Sequence, residues 1–399
     1  MKRLVKKAIN PLKFFIADSR SIGILLLLCT AFSLFMSNTA SGGWYRSIWN
    51  VDVNSIMNLP HSPLKWINDF LMAFFFLLAG MEIKRELTNG ELSSFKKAIL
   101  PFGAALGGMV VPALIFLAFN IGSGFSHGWG IPTATDIAFS LGIASLFGKR
   151  VPTSLKIFLM ALAIIDDLGA IIVIALFYGG KVEGMYFIVG AVLYGLLWLC
   201  NYVRLKPGII QLILSVLLWY AILRSGIEAS ITGVLVAFAM PVNSLPKLEK
   251  VIHGAVNFLI LPLFALANTA VLIPADISVA LNNSIGLGVI AGLVIGKPIG
   301  IFLFSRLLVA LKIAKLPTRV YWRQFLGMGA LAGIGFTMSI FTTTLAFSGE
   351  IHRDVAKISI LVSMILSLMI SWMYFLVIGQ TVKRKSMAVG GVNSEVAVG

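Results

Sequence analysis

Two adjacent aspartates, Asp166 and Asp167, sit inside the apolar run MALAIIDDLGAIIVIALF (160–177), and no basic residue between Lys156 and Lys181 is available to neutralise them. An ionised side chain near the centre of a bilayer costs at least ~2.5–3.5 kcal/mol on insertion scales. Neighbouring carboxylates at that depth also repel one another, so the empty pair resists double ionisation. A hard monovalent cation reverses this balance, because it prefers oxygen ligands and binds only after deprotonation. Ion and proton then compete for the same carboxylates, and one such site, opened alternately to each side, is sufficient for exchange. Neighbours on a helix project about 100° apart. One aspartate can therefore coordinate the ion while the other carries a proton or gates. Capping of an internal helix break is the plainer use of the pair.

Two more ionisable residues lie at membrane depth. Asp136 follows Thr135 in WGIPTATDIAFSLG (129–142), and Lys297 stands about twelve residues into its span, in GVIAGLVIGKPIGIFLF (288–304). A second interrupted stretch, GMGALAGIGFTMSIF (327–341), is crowded with Gly327, Gly329, Gly333 and Gly335. Both interrupted stretches are candidate broken helices, whose freed backbone groups lipid does not tolerate unless protein or a watery cavity satisfies them. They fall in the fourth and eleventh spans, corresponding places in two halves, as in the inverted-repeat transporters already described; the inference follows that precedent. Broken helices that cross bring like dipole ends together, and Asp136 and Lys297 have the signs to offset them. The simpler readings are that the glycines only let helices pack closely, and that Lys297 snorkels to an interface, although twelve helical residues make about 18 Å.

Polar clusters at the ends of spans are less specific. Glu82, Lys84, Arg85 and Glu86 occur together in GMEIKRELTNGE (80–91), and Glu249, Lys250 and His253 open the ninth span. A charge network containing a histidine can change protonation near neutral pH and bias a conformation, whereas a solvated charged helix end needs no such role. Asp69 either guards an entrance or caps the second helix, and Glu228 lies at the start of the eighth.

The elements that must position these residues are apolar helices. Spans are read near 16–36, 64–86, 97–119, 126–147, 154–177, 183–202, 208–223, 227–241, 253–273, 285–305, 325–347 and 356–379. Each approaches the ~20 residues that cross a hydrocarbon core of roughly 30 Å. The fold class is thus an all-α polytopic membrane protein of about 12 transmembrane helices, one transmembrane domain over 1–385 with a disordered tail at 386–399. A composition 58% hydrophobic and 12% charged, with mean hydropathy +0.95, excludes a sizeable soluble domain.

The net charge of +16 suggests nucleic acid until the 32 basic residues are placed. With both termini on one side, that side holds 25 of them and the other 6, with Lys297 left between. Such asymmetry is the positive-inside rule, which puts both termini in the cytoplasm and needs no nucleic acid. The basic arm ahead of Ile22–Met36 resembles a cleaved signal peptide, but eleven further spans make a retained first helix the better reading. Cys29 and Cys200 give no disulfide framework. The loop 41–63, with Trp44 and Trp49 and few charges, fits a segment resting at the membrane interface or serving self-association.

At FFFLLAGMEIKREL, GWGIPTATDIAFSLG, RVPTSLKIFLMALAIIDDLGAIIVIALFY, NFLILPLFALANTAV, GLVIGKPIG and GIGFTMSIF the chain resembles the bacterial NhaA sodium/proton antiporters, over about residues 60–345. The resemblance implies twelve helices with the fourth and eleventh broken and crossing, and electrogenic exchange in which more protons enter than sodium leaves. It implies that Asp166 and Asp167 bind the transported Na+ or Li+, that Asp136, Thr135 and Lys297 support the site, and that Glu82, Arg85, Glu86, Glu249 and His253 regulate by pH. It further implies an inner-membrane transporter, not an enzyme, with no cofactor beyond the ions it moves and commonly a homodimer. One departure stands out: where family members commonly read SGVHAT this chain reads SGIEAS, placing Glu228 at the expected histidine. A carboxylate ordinarily titrates below an imidazole, so a different pH profile is expected.

Rival classes fit less well. An intramembrane aspartyl protease needs two carboxylates on separate helices, usually with Gly-x-Gly-Asp, which is absent. A channel has no use for protonatable ligands at a closed midplane site, and a sodium-coupled symporter would need its organic solute.

Overall fold

The structure is a computed structural model that describes residues 19–53, 59–203, 205, 208–274, 277–317 and 320–395. The basic arm from Lys2 to Lys13 and residues 396–399 lie outside the described residues, as do Arg204, Lys206 and Arg319. Among the described residues all regular structure is helical. α1 (Ser19–Ser37) meets the short α2 (Gly42–Asn50) at a bend of 115°. α3 (Pro63–Asn89) and α4 (Phe95–Phe119) follow. A tight 3₁₀ stretch, Ser126–Thr133, leads through extended residues 134–136 into α5 (Ile137–Leu146). Next come α6 (Thr153–Phe177), α7 (Gly184–Tyr202), α8 (Ile209–Ser225), α9 (Ala229–Ala239), α10 (Val242–Asn268) and α11 (Ser284–Ala310). α12 (Trp322–Ala332) and α13 (Phe336–Ala346) form one span bent by 48°, and α14 (Glu350–Glu395) closes the chain. α14 runs into the stretch 386–399 for which a disordered tail was expected.

Among the described residues helix makes up most of each of the twelve expected spans, and non-helical residues 134–136 and 334–335 interrupt the fourth and the eleventh. Among the described residues seven helices are long and apolar enough to cross a membrane unaided, and up to nine if each bent pair counts as one span. The others are the short α8 and α9 and the interrupted stretch ending in α5. α1 packs into the bundle through buried Ile22 and Leu26, and Ser33 Oγ donates to Leu266 O at 2.6 Å.

Two long helices are widened by prolines next to the residues of interest. A proline cannot donate to the carbonyl four residues back, and its ring crowds that carbonyl. Ahead of Pro262 the turn Val256–Ile260 opens to an i→i+5 bond, Leu261 N to Val256 O. Ahead of Pro298 the turn Gly292–Gly296 does the same, with Lys297 N donating to Gly292 O. These π turns tilt Asn257 and Lys297 away from where a regular helix would aim them.

α4 and α11 pack in direct backbone contact. A Cβ on Gly300 would run into the Gly107 carbonyl and one on Gly107 into the Gly300 carbonyl, so the two backbones touch directly. Gly300→Val therefore forces two spans apart. A loss of roughly 1–3 kcal/mol or more is expected, read as a lower melting temperature of the purified protein. Gly184→Ala, which has open space around it, leaves the melt unchanged. Equal melting of Gly300→Val and the parent would contradict this packing.

Candidate functional site

The two interruptions cross in the middle of the bundle. Asp136 N donates to Ile334 O at 2.7 Å, joining the extended residues 134–136 to the gap between α12 and α13. The Asp136 carboxylate then serves two helices. Its Oδ1 accepts from Phe139 N at 3.2 Å and caps α5. Its Oδ2 accepts from Thr337 N at 3.1 Å and Thr337 Oγ1 at 2.7 Å, capping α13, whose own N-cap residue is Gly335 and has no side chain to offer. An anion at two helix N-termini is electrostatically favourable and satisfies otherwise orphaned N–H groups.

The opposite ends of the same breaks present carbonyls. Lys297 Nζ donates to Thr133 O at 2.6 Å, and Thr135 Oγ1 lies 2.8 Å from Ala332 O, the last residue of α12. Lys297 also pairs with Asp166 Oδ2 at 3.0 Å, both side chains being fully buried. Thr135 Oγ1 is 2.7 Å from that same oxygen. The hydroxyl owns one proton and faces two acceptors. When Asp166 is ionised the hydroxyl can donate to it; when Asp166 carries a proton, the acid can donate to Thr135 and release the hydroxyl for Ala332 O.

Asp167 faces elsewhere. It lines a cavity of about 200 Å³ that also touches Glu82, Arg85, His253 and Asn257, together with Thr135, Asp136 and Thr337 at the crossing. Arg85, half-buried, is ion-paired with Glu249, and His253 is exposed. His253 Nε2 and Asn257 Nδ2 are 3.0 Å apart. Glu86 is not on the cavity wall: its Oε2 accepts from Glu91 N at 3.0 Å and its Oε1 is 3.8 Å from Arg85. The wall includes Leu261 and Met338. Three residues beyond them, Phe264 and Phe341 meet with ring centroids 6.4 Å apart, and Phe341 meets Phe76 at 5.5 Å. All three rings are fully buried, on α10, α13 and α3. Asp166 Oδ1 and Asp167 Oδ1 are buried and have no hydrogen-bond partner among the described residues, so the carboxylates keep acceptor capacity for a ligand.

This arrangement can be compared with known proteins. The profile of the family described as Na+/H+ antiporter 1 matches residues 13–387. The Na+/H+ antiporter NhaA 1 of Clostridium beijerinckii is 45% identical over 381 residues, 92% of this chain and 95% of that protein. NhaA of Flavobacterium psychrophilum is 46% identical over 362 residues, 89% and 93% of the two chains. NhaA of Escherichia coli O1:K1 / APEC is 45% identical over 377 residues, 90% and 97%.

This chain belongs to the NhaA family.

The remaining residues expected to matter in an NhaA chain lie at the end of the bundle away from Arg85. Asp69 sits in a π turn, Ile67–Leu71, and its carbonyl accepts from Trp219 Nε1 at 2.8 Å. The turn after Glu228, Ala229–Ile231, packs on that π turn. Ser230 Oγ donates to Glu228 Oε1 at 3.1 Å. Sequence reasoning missed Thr337 and Asn257, whose only signal was a polar residue one step past a break or one turn past His253. It placed Lys84 only in the charge cluster of 80–91; its Nζ in fact donates to Phe238 O at 2.8 Å and to Met240 O, closing the carbonyl end of α9. Tyr178 was likewise unforeseen: its hydroxyl donates to His127 O at 2.7 Å and accepts from Gly130 N at 3.0 Å, fastening the 3₁₀ stretch to the end of α6.

Removing one partner of a buried ion pair leaves the other uncompensated, at a cost of about 3–5 kcal/mol. Lys297→Met is therefore expected to lower the melting temperature most at high pH, where Asp166 is ionised, and least at low pH, where a proton replaces the lost cation. Asp166→Asn added to Lys297→Met should remove that pH dependence. A melting deficit that is constant with pH would show that the pair is not held together by charge.

Proposed function

We propose that this protein is an electrogenic secondary transporter that exchanges sodium or lithium for protons, with the ions and the protons taking turns on Asp166 and Asp167. The observation that carries the reading is the pair of buried carboxylate oxygens without a hydrogen-bond partner among the described residues, Asp166 Oδ1 and Asp167 Oδ1, with Asp167 on the wall of a cavity. Family membership supports it, since the printed names of the relatives are those of Na+/H+ antiporters.

In this reading Asp167 meets the ion first, because it is the one of the two on the cavity wall. Asp166 then exchanges its tie to Lys297 and Thr135 for the ion. Thr135 turns to Ala332 O whenever Asp166 is protonated, so proton occupancy is felt at the end of α12. Asp136 and Lys297 hold the crossing closed electrostatically while the carboxylates titrate. The aromatic contact of Phe76, Phe264 and Phe341 seals the far side of the site and parts when the site opens to that side. The basic end of the bundle faces the cytoplasm of a bacterial inner membrane, with both termini there, and the protein works as a homodimer. Glu82, the Arg85–Glu249 pair and His253 stand around the mouth of the cavity, so their protonation biases the approach to Asp167 and provides pH regulation; Glu86 acts through Arg85.

Antiport of this kind changes the pH of inverted vesicles on addition of sodium or lithium alone. Dequenching of a pH dye is expected with the parent protein and is lost in Asp166→Asn and Asp167→Asn. Because protons compete with the ion, the apparent KM for sodium should fall as pH rises, by up to about tenfold per pH unit for each competing proton, until the pair is deprotonated. A KM that does not move with pH would refute shared occupancy, and normal exchange by the double variant would refute the site.

Glu228 faces Asp69 where an imidazole would have been drawn to that carboxylate. Glu228→His should therefore shift the pH-activity profile, and a curve superimposable on that of the parent would count against any part for this position in the pH response.

A further inference from the structure

The elbow between α1 and α2 presents three distinct sides. At 100° per residue, the nine residues of α2 and the one that follows divide into three stripes. Gly42, Tyr45 and Trp49 turn inward. Tyr45 is buried, its ring meets Trp49 at 5.9 Å and Phe32 at 6.4 Å, and its hydroxyl is 3.2 Å from Ser33 Oγ. Gly43, Ser47 and Asn50 form an exposed polar stripe. Trp44, Ile48 and Val51 form an exposed apolar one, with Trp44 67% exposed.

The inward side is fastened. Arg46 Nη1 donates to Ser37 O at 2.6 Å and closes the carbonyl end of α1. Asn38 Nδ2 donates to Val271 O at 3.0 Å, and Ile273 N returns a bond to Asn38 Oδ1 at 2.8 Å. A Cβ on Gly42 would strike the Ser37 carbonyl, so the tight elbow needs glycine there. The 115° bend turns α2 nearly perpendicular to α1 and slightly back along it.

α1 carries an exposed apolar stripe of its own, Leu28, Phe32 and Phe35, recurring at i, i+4 and i+7. Those residues lie within a membrane span, where the neighbour of an exposed apolar side chain is lipid. Helices perpendicular to a span, with a tryptophan on one side and polar groups on another, are suited to the boundary between headgroups and acyl chains. The stripe offers on the order of 300 Å², short of the ~800 Å² per partner that a stable protein interface buries.

We propose that α2 is a lipid anchor: Trp44, Ile48 and Val51 sit in the acyl–headgroup boundary of the leaflet at the end opposite Arg85, while Gly43, Ser47 and Asn50 face water. A lipid surface is thus the partner of this face, and a second copy of the chain is the competing occupant.

Spin labels at Ile48→Cys and Ser47→Cys, each in a Cys29→Ser/Cys200→Ser background reconstituted in phosphatidylcholine–phosphatidylglycerol vesicles, distinguish the two. The label at 48 is expected to be relaxed by oxygen and shielded from a water-soluble nickel chelate, and the label at 47 to show the reverse. A label at 48 as open to the chelate as that at 47 would overturn the proposal. So would dipolar broadening between labels at 48 on two protomers, which would assign the face to self-association. Trp44→Phe keeps the pattern at 48, whereas Trp44→Asp combined with Ile48→Cys should raise chelate access several-fold; no change would also count against the anchor.

Discussion

Two helices broken at the same depth leave four sets of backbone groups without partners, and the rest of the site depends on how those ends are closed. One carboxylate, Asp136, closes both amino ends by accepting from Phe139 N, Thr337 N and Thr337 Oγ1. The carbonyl ends receive an ammonium at Thr133 O and a hydroxyl at Ala332 O. Lipid cannot offer such partners, so the crossing depends on polar side chains of the breaks themselves, Asp136 and Thr135, and on Lys297 reaching in from α11. Gly335 shows the economy of this arrangement: it allows the close approach and leaves the capping to a residue about two hundred positions away.

That solution places charge next to the aspartate pair and makes its two members unequal. Asp166 shares one oxygen with Lys297 and Thr135 and keeps the other free. Asp167 has no cation within reach of a salt bridge among the described residues and lies on the wall of the cavity. A buried ion pair is seldom a net gain in stability over an apolar substitute. Here its persistence is better explained by use: the Lys297 ammonium can stay with Thr133 O when Asp166 gives up its contact to an arriving ion. The crossing therefore supplies both a scaffold and a set of exchangeable contacts.

Much of this was legible from the residues. Asp166, Asp167, Asp136 and Lys297 are conspicuous because ionisable groups in long apolar runs demand a reason, and Pro132 with the glycines at 333 and 335 marked both breaks. The twelve spans followed from hydrophobic runs and the distribution of basic residues. Other features were closed to sequence reasoning because they depend on which distant segments meet. Nothing in the run GIGFTMSIF says that Thr337 will face Asp136, and nothing in EIKREL says that Lys84 will reach the carbonyls of α9 while Arg85 pairs with Glu249. The π turns ahead of Pro262 and Pro298 alter side-chain direction by an amount that helical periodicity cannot anticipate. The tryptophans of the loop 41–63 fit an interfacial segment or self-association, but the helix α2 and its fastening to α1 and α10 emerge only in three dimensions.

The central claim is that the metal ion displaces hydrogen ions from the acidic pair. Calorimetric titration of the purified protein with sodium, repeated in buffers of different ionisation enthalpy at one pH, measures this displacement directly. The account predicts that the binding heat varies linearly with buffer enthalpy, with a slope corresponding to at least one proton released per ion. Sodium binding with the same heat in every buffer would contradict it.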